Sequence, residues 1–421
     1  MSHEETDAVM PQYDEDIANA LPLPCERRNG RRIALFIYAL TGGGAQRRAL
    51  TLANGFAERG YDVDVVVVRG RGLLNGELSP RARLVALDAD WSAWHPGEIT
   101  RKRSLKGYMA VPSLARYLSR ERPDILLSAA SHANIPAILA WHLAGKPSRL
   151  VLRASNHPSG NLRHRPLSYR LFKPLYNRLG GILYAHADAV IAVSKGVADA
   201  VAELTEMPRE RISTVYNPMT RPGGGKTTDN ADSGPTPHPW LEPGNPPVIL
   251  GAGRFAIQKD FATLVRAFAL LRQHRPARLI ILGDGPRRPQ LEALVRRMGV
   301  EQDVLLPGYV YDAPRWMARA GVFVLSSLWE GLPGVLIEAL SVGCPIVSVD
   351  CPSGPREVLE DGRYGTLVPA REPERMADAI AAMLGAPLSP ELLRSRAAEF
   401  SLDRGISNYL EILERLMPRP L

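Results

Sequence analysis

Two glutamates with seven residues between them bracket a turn that contains glycine and proline. Glu330 precedes Gly331 and Pro333, and Glu338 lies on the helix that the following apolar spacing predicts. Backbone N–H groups at a helix start attract phosphate, and two carboxylates can accept hydrogen bonds from hydroxyl groups. A sugar nucleotide offers both. From this stretch alone the simpler alternative is favoured, in which Glu330 caps the helix and Glu338 faces solvent.

A second loop carries two cations. Arg254 and Lys259 fall between the predicted strand VILGAG and the helix that begins near Phe261. Guanidinium and ammonium groups bind phosphate oxygens, so the pair suits a diphosphate. The alternative is ordinary surface charge, which would be sufficient for Arg254 alone.

Three consecutive glycines, Gly42, Gly43 and Gly44, follow the first predicted strand. Glycine lets the backbone turn tightly and approach a ligand. The dinucleotide fingerprint needs glycines at positions one, three and six. Arg47 stands at the sixth position, and GAGRFAIQ in the second half fails the same spacing, which argues against a nicotinamide-dependent oxidoreductase. We expect a loop near an acceptor or the phosphates of a donor; a tight strand-to-helix turn is the alternative.

Two histidines follow predicted strands of the first half. His132 comes after DILLSA and His157 after RLVLRA. Ligands of open parallel sheets bind at the carboxyl ends of the strands, so both are candidates. His157 is the stronger one, because residues 158–160 predict a loop around it. A structural role is the alternative for both.

These residues depend on short apolar runs that alternate with helical stripes. The predicted strands are IALFIY, VDVVVV, DILLSA, RLVLRA and AVIAVS in the first half, and VILGAG, RLIILGDGP, VLLPGYV, GVFVL and IVSV in the second. The alternation predicts a doubly wound α/β arrangement in each half. Residues 217–247, dense in Pro, Gly, Asp, Ser and Thr, predict a linker.

Length and composition agree with two domains. The chain has 421 residues and is 45% hydrophobic, which is too long for one ordinary core. No apolar run reaches the ~18 residues of a membrane span. The start of the chain is acidic and polar, unlike a signal peptide. Because of this composition, residues 1–30 are predicted to be a disordered acidic tail. Cys25, Cys344 and Cys351 match neither a disulfide framework nor a zinc spacing, which indicates a cytoplasmic location without a structural metal.

The net charge of +8 is concentrated in one region, because residues 91–180 carry 15 basic and 3 acidic side chains. Within it, Asn161–Tyr184 interleaves basic and large apolar residues, a pattern typical of a surface helix on anionic lipid. A nucleic-acid surface is the alternative. It has less weight because no nucleic-acid motif accompanies the charge.

Several stretches together resemble the retaining glycosyltransferases of family 4, which have the GT-B fold. They are GAGRFAIQKDFATLVRAFALL, LIILGDGP, LLPGYV and FVLSSLWEGLPGVLIEALSVGCPIVSVDCPSGPREVL in the second half, and GGGAQRRALTLANGFAERGYDV and HADAVIAVSKGVADAV in the first. The resemblance begins near Ile33 and is most specific in the second half. It implies two Rossmann-like domains facing across a cleft, at residues 31–216 and 248–400. Residues 401–421 would form a closing helix that returns to the first domain.

The resemblance also implies roles for individual residues. Glu330 and Glu338 match the family's E-x7-E motif, in which the first glutamate lies by the transferred sugar and the second binds the ribose. Catalytic roles would fall to Glu330, His157, Arg254 and Lys259. The donor site would comprise Arg254, Lys259, Glu330, Gly331, Leu332, Pro333, Gly334, Val335 and Glu338. Gly43 and Gly44 match the loop at the acceptor side of the cleft, where we also expect His132.

The implied reaction moves a hexose or N-acetylhexosamine from a nucleotide-sugar, UDP-linked by family frequency, to a lipid-linked or cell-envelope glycan with retention. No metal or other cofactor is expected, because the two cations replace it. The expected location is peripheral on the inner face of the cell membrane, with an anionic membrane surface as partner and no nucleic acid. The alternative is an inactive GT-B-like binding protein that attaches to lipid or nucleic acid through residues 91–180. The presence of all four charged site residues argues against it.

Overall fold

Two parallel β-sheets, one in each half of the chain, organise the fold. A computed structural model describes residues 31–40, 43–70, 72, 74–87, 108–158, 180–219 and 235–417. The first sheet has seven strands in the order β3-β2-β1-β4-β5-β6-β7, and the second has six in the order β10-β9-β8-β11-β12-β13. Neighbouring strands pair in parallel in both sheets. The predicted doubly wound α/β architecture is therefore confirmed.

The strands are β1 (Arg32–Ile37), β2 (Asp62–Val67), β3 (Ala82–Ala86), β4 (Ile125–Ser128), β5 (Arg149–Ala154), β6 (Ala189–Ala192), β7 (Ile212–Thr214), β8 (Val248–Ala252), β9 (Arg278–Leu282), β10 (Val304–Gly308), β11 (Val322–Leu325), β12 (Ile346–Val349) and β13 (Thr366–Val368). The helices are α1 (Gly44–Glu58), α2 (Val111–Glu121), α3 (Asn134–Leu143), α4 (Lys195–Thr205), α5 (Phe261–Arg272), α6 (Arg288–Met298), α7 (Ala313–Met317), α8 (Gly334–Ser341), α9 (Pro355–Val358), α10 (Pro373–Gly385), α11 (Pro390–Ala398) and α12 (Leu402–Leu416).

Each sheet has a point at which the strand order reverses. In the first sheet it lies between β1 and β4, and in the second between β8 and β11. Loops that leave neighbouring strands on either side of such a point diverge to opposite faces, which opens a crevice for a ligand. The β1–α1 and β4–α3 loops border the first crevice, and the β8–α5 and β11–α8 loops border the second. The predicted site residues lie on or next to these four connections, except His157, which follows β5, and Glu338, which lies inside α8.

The last helix, α12, packs on the first domain. A Cβ atom at Gly55 of α1 would lie 2.5 Å from Ile406 Cδ1, so the two helices can approach this closely only because Gly55 has no side chain. Arg153 of β5, 1% exposed, donates from Nε to Tyr409 Oη at 2.9 Å and from Nη1 to Ala129 O at 2.6 Å. The chain end is therefore fixed to the first sheet by packing and by a buried guanidinium.

Several sequence predictions concern residues outside the described part of the chain. They include the acidic tail at 1–30, residues 220–234 of the linker predicted at 217–247, and residues 161–179 of the basic helix predicted at Asn161–Tyr184. The domain boundaries consequently stay a prediction. Among the described residues no helix is long and apolar enough to cross a membrane.

Candidate active site

Lys259 and Glu330 form an ion pair across the crevice of the second sheet. Lys259 Nζ lies 2.6 Å from Glu330 Oε1, and the side chains are only 16% and 8% exposed. Further hydrogen bonds join the two loops, from Ser326 Oγ to Lys259 O and from Gln258 Nε2 to Trp329 O. An ammonium has three donors, so Lys259 retains donors for a phosphate while it holds Glu330.

Arg254 differs from Lys259, although both come from the same loop. Arg254 is exposed, and it makes no ion pair or hydrogen bond with another residue in the described part of the chain. The predicted basic pair therefore consists of one cation fixed by a carboxylate and one exposed cation in the same loop. Arg254 is free to turn toward an incoming phosphate.

The turn from Gly331 to Val335 forms a rigid wall of the crevice. Leu332 and Pro333 are buried, whereas Gly334 and Val335 are half-buried at the start of α8. Ser353 Oγ donates to Gly331 O at 2.9 Å, which fixes the turn from the neighbouring β12–α9 connection. The first N–H groups of α8 thus have a fixed direction, as an anion site at a helix start requires.

Glu338 does not face solvent, and the simpler alternative for this glutamate is wrong. Arg48 of α1 reaches across from the first domain and donates from Nη2 to Glu338 Oε1 at 3.0 Å. The side chains are 11% and 26% exposed. Burial raises the pKa of Glu338, and the charge of Arg48 opposes that rise. The simpler alternative for Glu330, a helix cap, is also wrong, because its carboxylate binds Lys259.

The loop after β5 brings His157 to the same place. His157 N donates to Glu330 O at 3.3 Å. A Cβ atom at Gly331 would lie 2.3 Å from Ser155 O, so only glycine allows the two backbones to meet here. Burial lowers the pKa of His157, which leaves a neutral imidazole at neutral pH. A neutral imidazole can both donate to and accept from a sugar hydroxyl.

The predicted acceptor-side residues lie at the crevice of the first sheet. Gly43 and Gly44 are exposed at the start of α1, where Gly43 N donates to Gln46 Oε1 at 2.7 Å. His132 lies exposed in the short 3₁₀ turn Ser131–Ala133 after β4. Gly42 falls outside the described residues. The structure therefore brings His132 and the glycine turn to one edge, while His157 lies nearer the second domain.

Two further contact regions join the domains. Glu357 accepts through its two carboxylate oxygens from Lys195 N at 2.8 Å and Gly196 N at 2.9 Å, at the start of α4. Beside it, the Ser194 and Ser353 hydroxyl oxygens lie 2.8 Å apart. At the other contact, Arg47 Nη2 donates to Tyr309 Oη at 2.6 Å. The cleft is therefore closed.

Sequence reasoning missed Arg48, Arg153, Ser353 and Glu357. The sequence did contain an indication for Arg153, because a charged residue inside a predicted buried strand requires specific buried hydrogen-bond acceptors. Arg48 had a weaker one, as half of a basic pair next to the glycine turn. Ser353 and Glu357 lie in CPSGPREVL, which contributed to the family resemblance without a role for either residue.

The cysteines and acidic groups offer no metal site in the described residues, where no cluster of three or more possible ligands occurs. Cys344 and Cys351 are buried and not disulfide-bonded. Burial raises the pKa of each thiol to about 12, so neither forms a thiolate near neutral pH.

Comparison with known proteins gives a consistent picture. A family model described as "Glycosyl transferases group 1" matches residues 246–386, and one described as "Glycosyltransferase Family 4" matches residues 42–220. One relative is the N-acetylgalactosamine-N,N'-diacetylbacillosaminyl-diphospho-undecaprenol 4-alpha-N-acetylgalactosaminyltransferase of Campylobacter jejuni. It is 27% identical over 84% of this chain and 90% of its own length. The lipopolysaccharide core biosynthesis glycosyltransferase LpsE of Rhizobium meliloti is 28% identical over 88% and 96%.

Solved structures agree on the fold. Sucrose-phosphate synthase from Thermosynechococcus elongatus superposes with a TM-score of 0.74 at 20% identity, over 92% of this chain and 99% of that one. HepE from Anabaena, in complex with UDP-glucose, gives 0.70 at 19% identity over 91% and 99%. The two facing α/β domains and the residues of their cleft define a glycosyltransferase with the GT-B fold. The chain belongs to the family 4 type of these enzymes, since the two family models together account for both domains.

Proposed function

We propose that this enzyme transfers a hexose or N-acetylhexosamine, with retention of configuration, from a UDP-sugar to a lipid-linked or cell-envelope glycan. The observation that carries the proposal is the set of contacts at the closed cleft. Lys259 is paired with Glu330, Arg254 of the same loop is exposed, and Arg48 of the first domain reaches Glu338 on α8. The cations and the helix start would stabilise the departing diphosphate. Glu338 would accept hydrogen bonds from the ribose hydroxyls.

The donor proposal rests on the residues and on a structural relative. Positive charge in the β8–α5 loop and a carboxylate on α8 match a nucleoside diphosphate. Its phosphates need cationic donors, and its ribose hydroxyls can donate to a carboxylate. HepE, which shares the fold, has been solved with UDP and with UDP-glucose. These facts support UDP as the nucleotide of this chain's donor.

The acceptor proposal rests on the relatives' names. One names a diphospho-undecaprenol-linked substrate and another names lipopolysaccharide core biosynthesis. A lipid-linked acceptor would explain the basic and apolar composition of residues 91–180 as an attachment to an anionic membrane. Residues 91–107 and 159–179 of that region lie outside the described part of the chain.

Retention is proposed from the family resemblance. It is consistent with the ion pair between Glu330 and Lys259, which gives Glu330 a role other than that of a base. In the proposed mechanism the diphosphate leaves as the acceptor hydroxyl approaches the same face. The departing diphosphate would take up the hydroxyl proton, so no separate protein base is needed. Glu330, already bound to Lys259, would serve to position charge beside the transferred sugar. No step requires a divalent metal, because Lys259 and Arg254 supply the positive charge.

Nucleotide binding is the first test. Thermal stability of the full chain is measured with UDP, GDP, ADP and NAD at matched concentrations. A ligand at about 100 times its dissociation constant adds roughly 2.7 kcal/mol to the folded state. We expect a UDP-selective shift that Arg254→Met reduces and that Arg266→Met, an exposed arginine on α5, leaves intact. No shift with any nucleotide would refute the donor proposal.

Turnover is the second test. UDP release from a panel of UDP-hexoses and UDP-N-acetylhexosamines is followed with polyprenyl-diphosphate-linked saccharides or with soluble sugars as acceptors. We expect lipid-linked acceptors to be preferred, EDTA to leave the rate unchanged, and the product anomer, determined by NMR, to match the donor. An inverted product would refute the retaining mechanism, and transfer only to soluble sugars would refute the acceptor class.

A further inference from the structure

Arg48 is the one first-domain side chain, among the contacts in the described residues, that donates to a carboxylate of the E-x7-E motif. It extends from the buried face of α1, and the whole residue is 9% exposed. Its Nη2 donates to Glu338 Oε1 at 3.0 Å and its Nη1 to Pro218 O at 3.4 Å. A Cβ atom at Gly334 would lie 2.8 Å from Nη2, so the guanidinium occupies the space that Gly334 leaves empty.

The contact leaves Glu338 able to bind a ligand. An ionised carboxylate has two oxygens and about four acceptor positions. Arg48 uses one position on Oε1, so Oε2 and the remaining position on Oε1 can accept from two hydroxyl groups. A protonated carboxyl would instead have its own O–H donor to satisfy. The guanidinium charge favours the ionised form, in which Glu338 acts only as an acceptor.

We infer that Arg48 is a positioning residue for the donor: it orients the Glu338 carboxylate toward the ribose hydroxyls and so links donor binding to closure of the cleft. The inference rests on the proposed function, since it assigns a role within the same donor site. Arg48 itself does not need to touch the nucleotide, because it acts through Glu338.

The link to closure follows from the positions of the two residues. Arg48 belongs to the first domain and Glu338 to the second, so their 3.0 Å contact exists only when the domains meet. An equilibrium effect of this kind is reciprocal. If closure prepares Glu338 for the ribose, then a bound ribose stabilises closure by the same amount.

The experiment compares two ligands that differ only in the groups Glu338 would bind. Affinities of the full-length protein for UDP and for 2′,3′-dideoxyuridine diphosphate are measured by calorimetry. The variants are Arg48→Met, Arg48→Lys, Glu338→Gln and the Arg48→Met/Glu338→Gln double variant. Arg59→Met is the matched control, because Arg59 ends the same helix in an exposed ion pair with Asp403.

Arg48→Met is expected to weaken UDP binding about tenfold, the effect of one charge-assisted hydrogen bond. Its effect on the dideoxy ligand should stay below about twofold, because that ligand has no ribose hydroxyls for Glu338 to bind. Arg48→Lys should recover part of the loss. The double variant should bind UDP no more weakly than Glu338→Gln, and Arg59→Met should bind as the wild type does.

Three results separate the possible failures. Tighter UDP binding by Arg48→Met would overturn the inference, since Arg48 would then compete with the ribose. An equal loss for both ligands would also overturn it, because Arg48 would then only support the local structure. If the wild type binds neither ligand, the UDP donor itself is refuted and the inference falls with it.

Discussion

Gly331→Ala should prevent the cleft from closing fully. An alanine Cβ at this position would lie 2.3 Å from Ser155 O and 2.9 Å from Ser155 C, whereas ordinary contacts begin at 3.4 Å. The opposing atoms are backbone atoms, which cannot turn away as a flexible side chain can. The two domains would have to separate by about 1 Å at this point, the scale at which misplacement affects catalysis.

The magnitude follows from the nature of the clash. Overpacking a close contact costs about 1–3 kcal/mol. Since Gly331 meets Ser155 only across the interface, the closed state bears this cost and the open state does not. A penalty of 1–3 kcal/mol corresponds to about 5- to 150-fold, and we expect donor turnover to fall by a factor in this range. UDP affinity should fall no more than in Arg48→Met, because the crevice of the second domain stays intact.

Two measurements test this expectation. Small-angle X-ray scattering with saturating UDP should give a larger radius of gyration for Gly331→Ala than for the wild type. UDP release from the donor sugar gives the turnover. Gly385→Ala is the control, because a Cβ atom on this exposed glycine meets nothing within 4 Å. If Gly331→Ala is as compact and as active as Gly385→Ala, the contact does not control closure.

Three other predictions test separate contacts. Tyr409→Phe leaves Arg153 Nε buried without its acceptor and should lower the free energy of unfolding by about 1.5–3 kcal/mol in urea; an unchanged midpoint would contradict this. Because burial raises the pKa of Glu338, UDP affinity should fall as the pH drops through that raised value. Arg48→Met should shift this loss to higher pH, and Glu338→Gln should abolish it. Glu357→Ala should speed amide exchange in the first turn of α4, and unaltered exchange would rule out the proposed contact.

The sequence predicted the central strands well because they are buried on both faces. Runs such as Arg149–Ala154 and Ile346–Val349 are rich in Leu, Ile and Val, and the structure gives them the same bounds. The strands that were missed are β3, β7 and β13, which lie at or near sheet edges. β3 is half-buried throughout, and β7 and β13 have three residues each, so their patterns are weak.

The site was predictable only within each domain. The spacing of Glu330 and Glu338 and the loop with Arg254 and Lys259 are local features that residue types reveal. The contact of Arg48 with Glu338 joins residues 290 positions apart, on different domains. No local pattern encodes such a pair, because it depends on how the two domains face each other. For the same reason the sequence of α8 alone favours the simpler alternative, in which Glu338 faces solvent. The closed structure shows that this alternative is wrong, because Arg48 of the other domain covers the carboxylate.

The buried hydrogen bonds of Arg153 favour opening of the cleft on the side away from this residue. Arg153 is 1% exposed, and its guanidinium donates to three neutral acceptors, Tyr409 Oη, Ala129 O and Asn217 Oδ1, with no carboxylate partner in the described residues. These acceptors come from α12, the end of β4 and the segment after β7. The chain passes between the domains after β7 and again before α12, so Arg153 binds both of these segments to the first sheet. Breaking this set would leave a buried cation with unpaired donors. None of the described contacts on the Gly331 side involves Arg153, so opening there leaves Arg153 undisturbed. We therefore expect the hinge of the closing motion to lie near Arg153, whose buried charge stays in the first domain in both the open and the closed state.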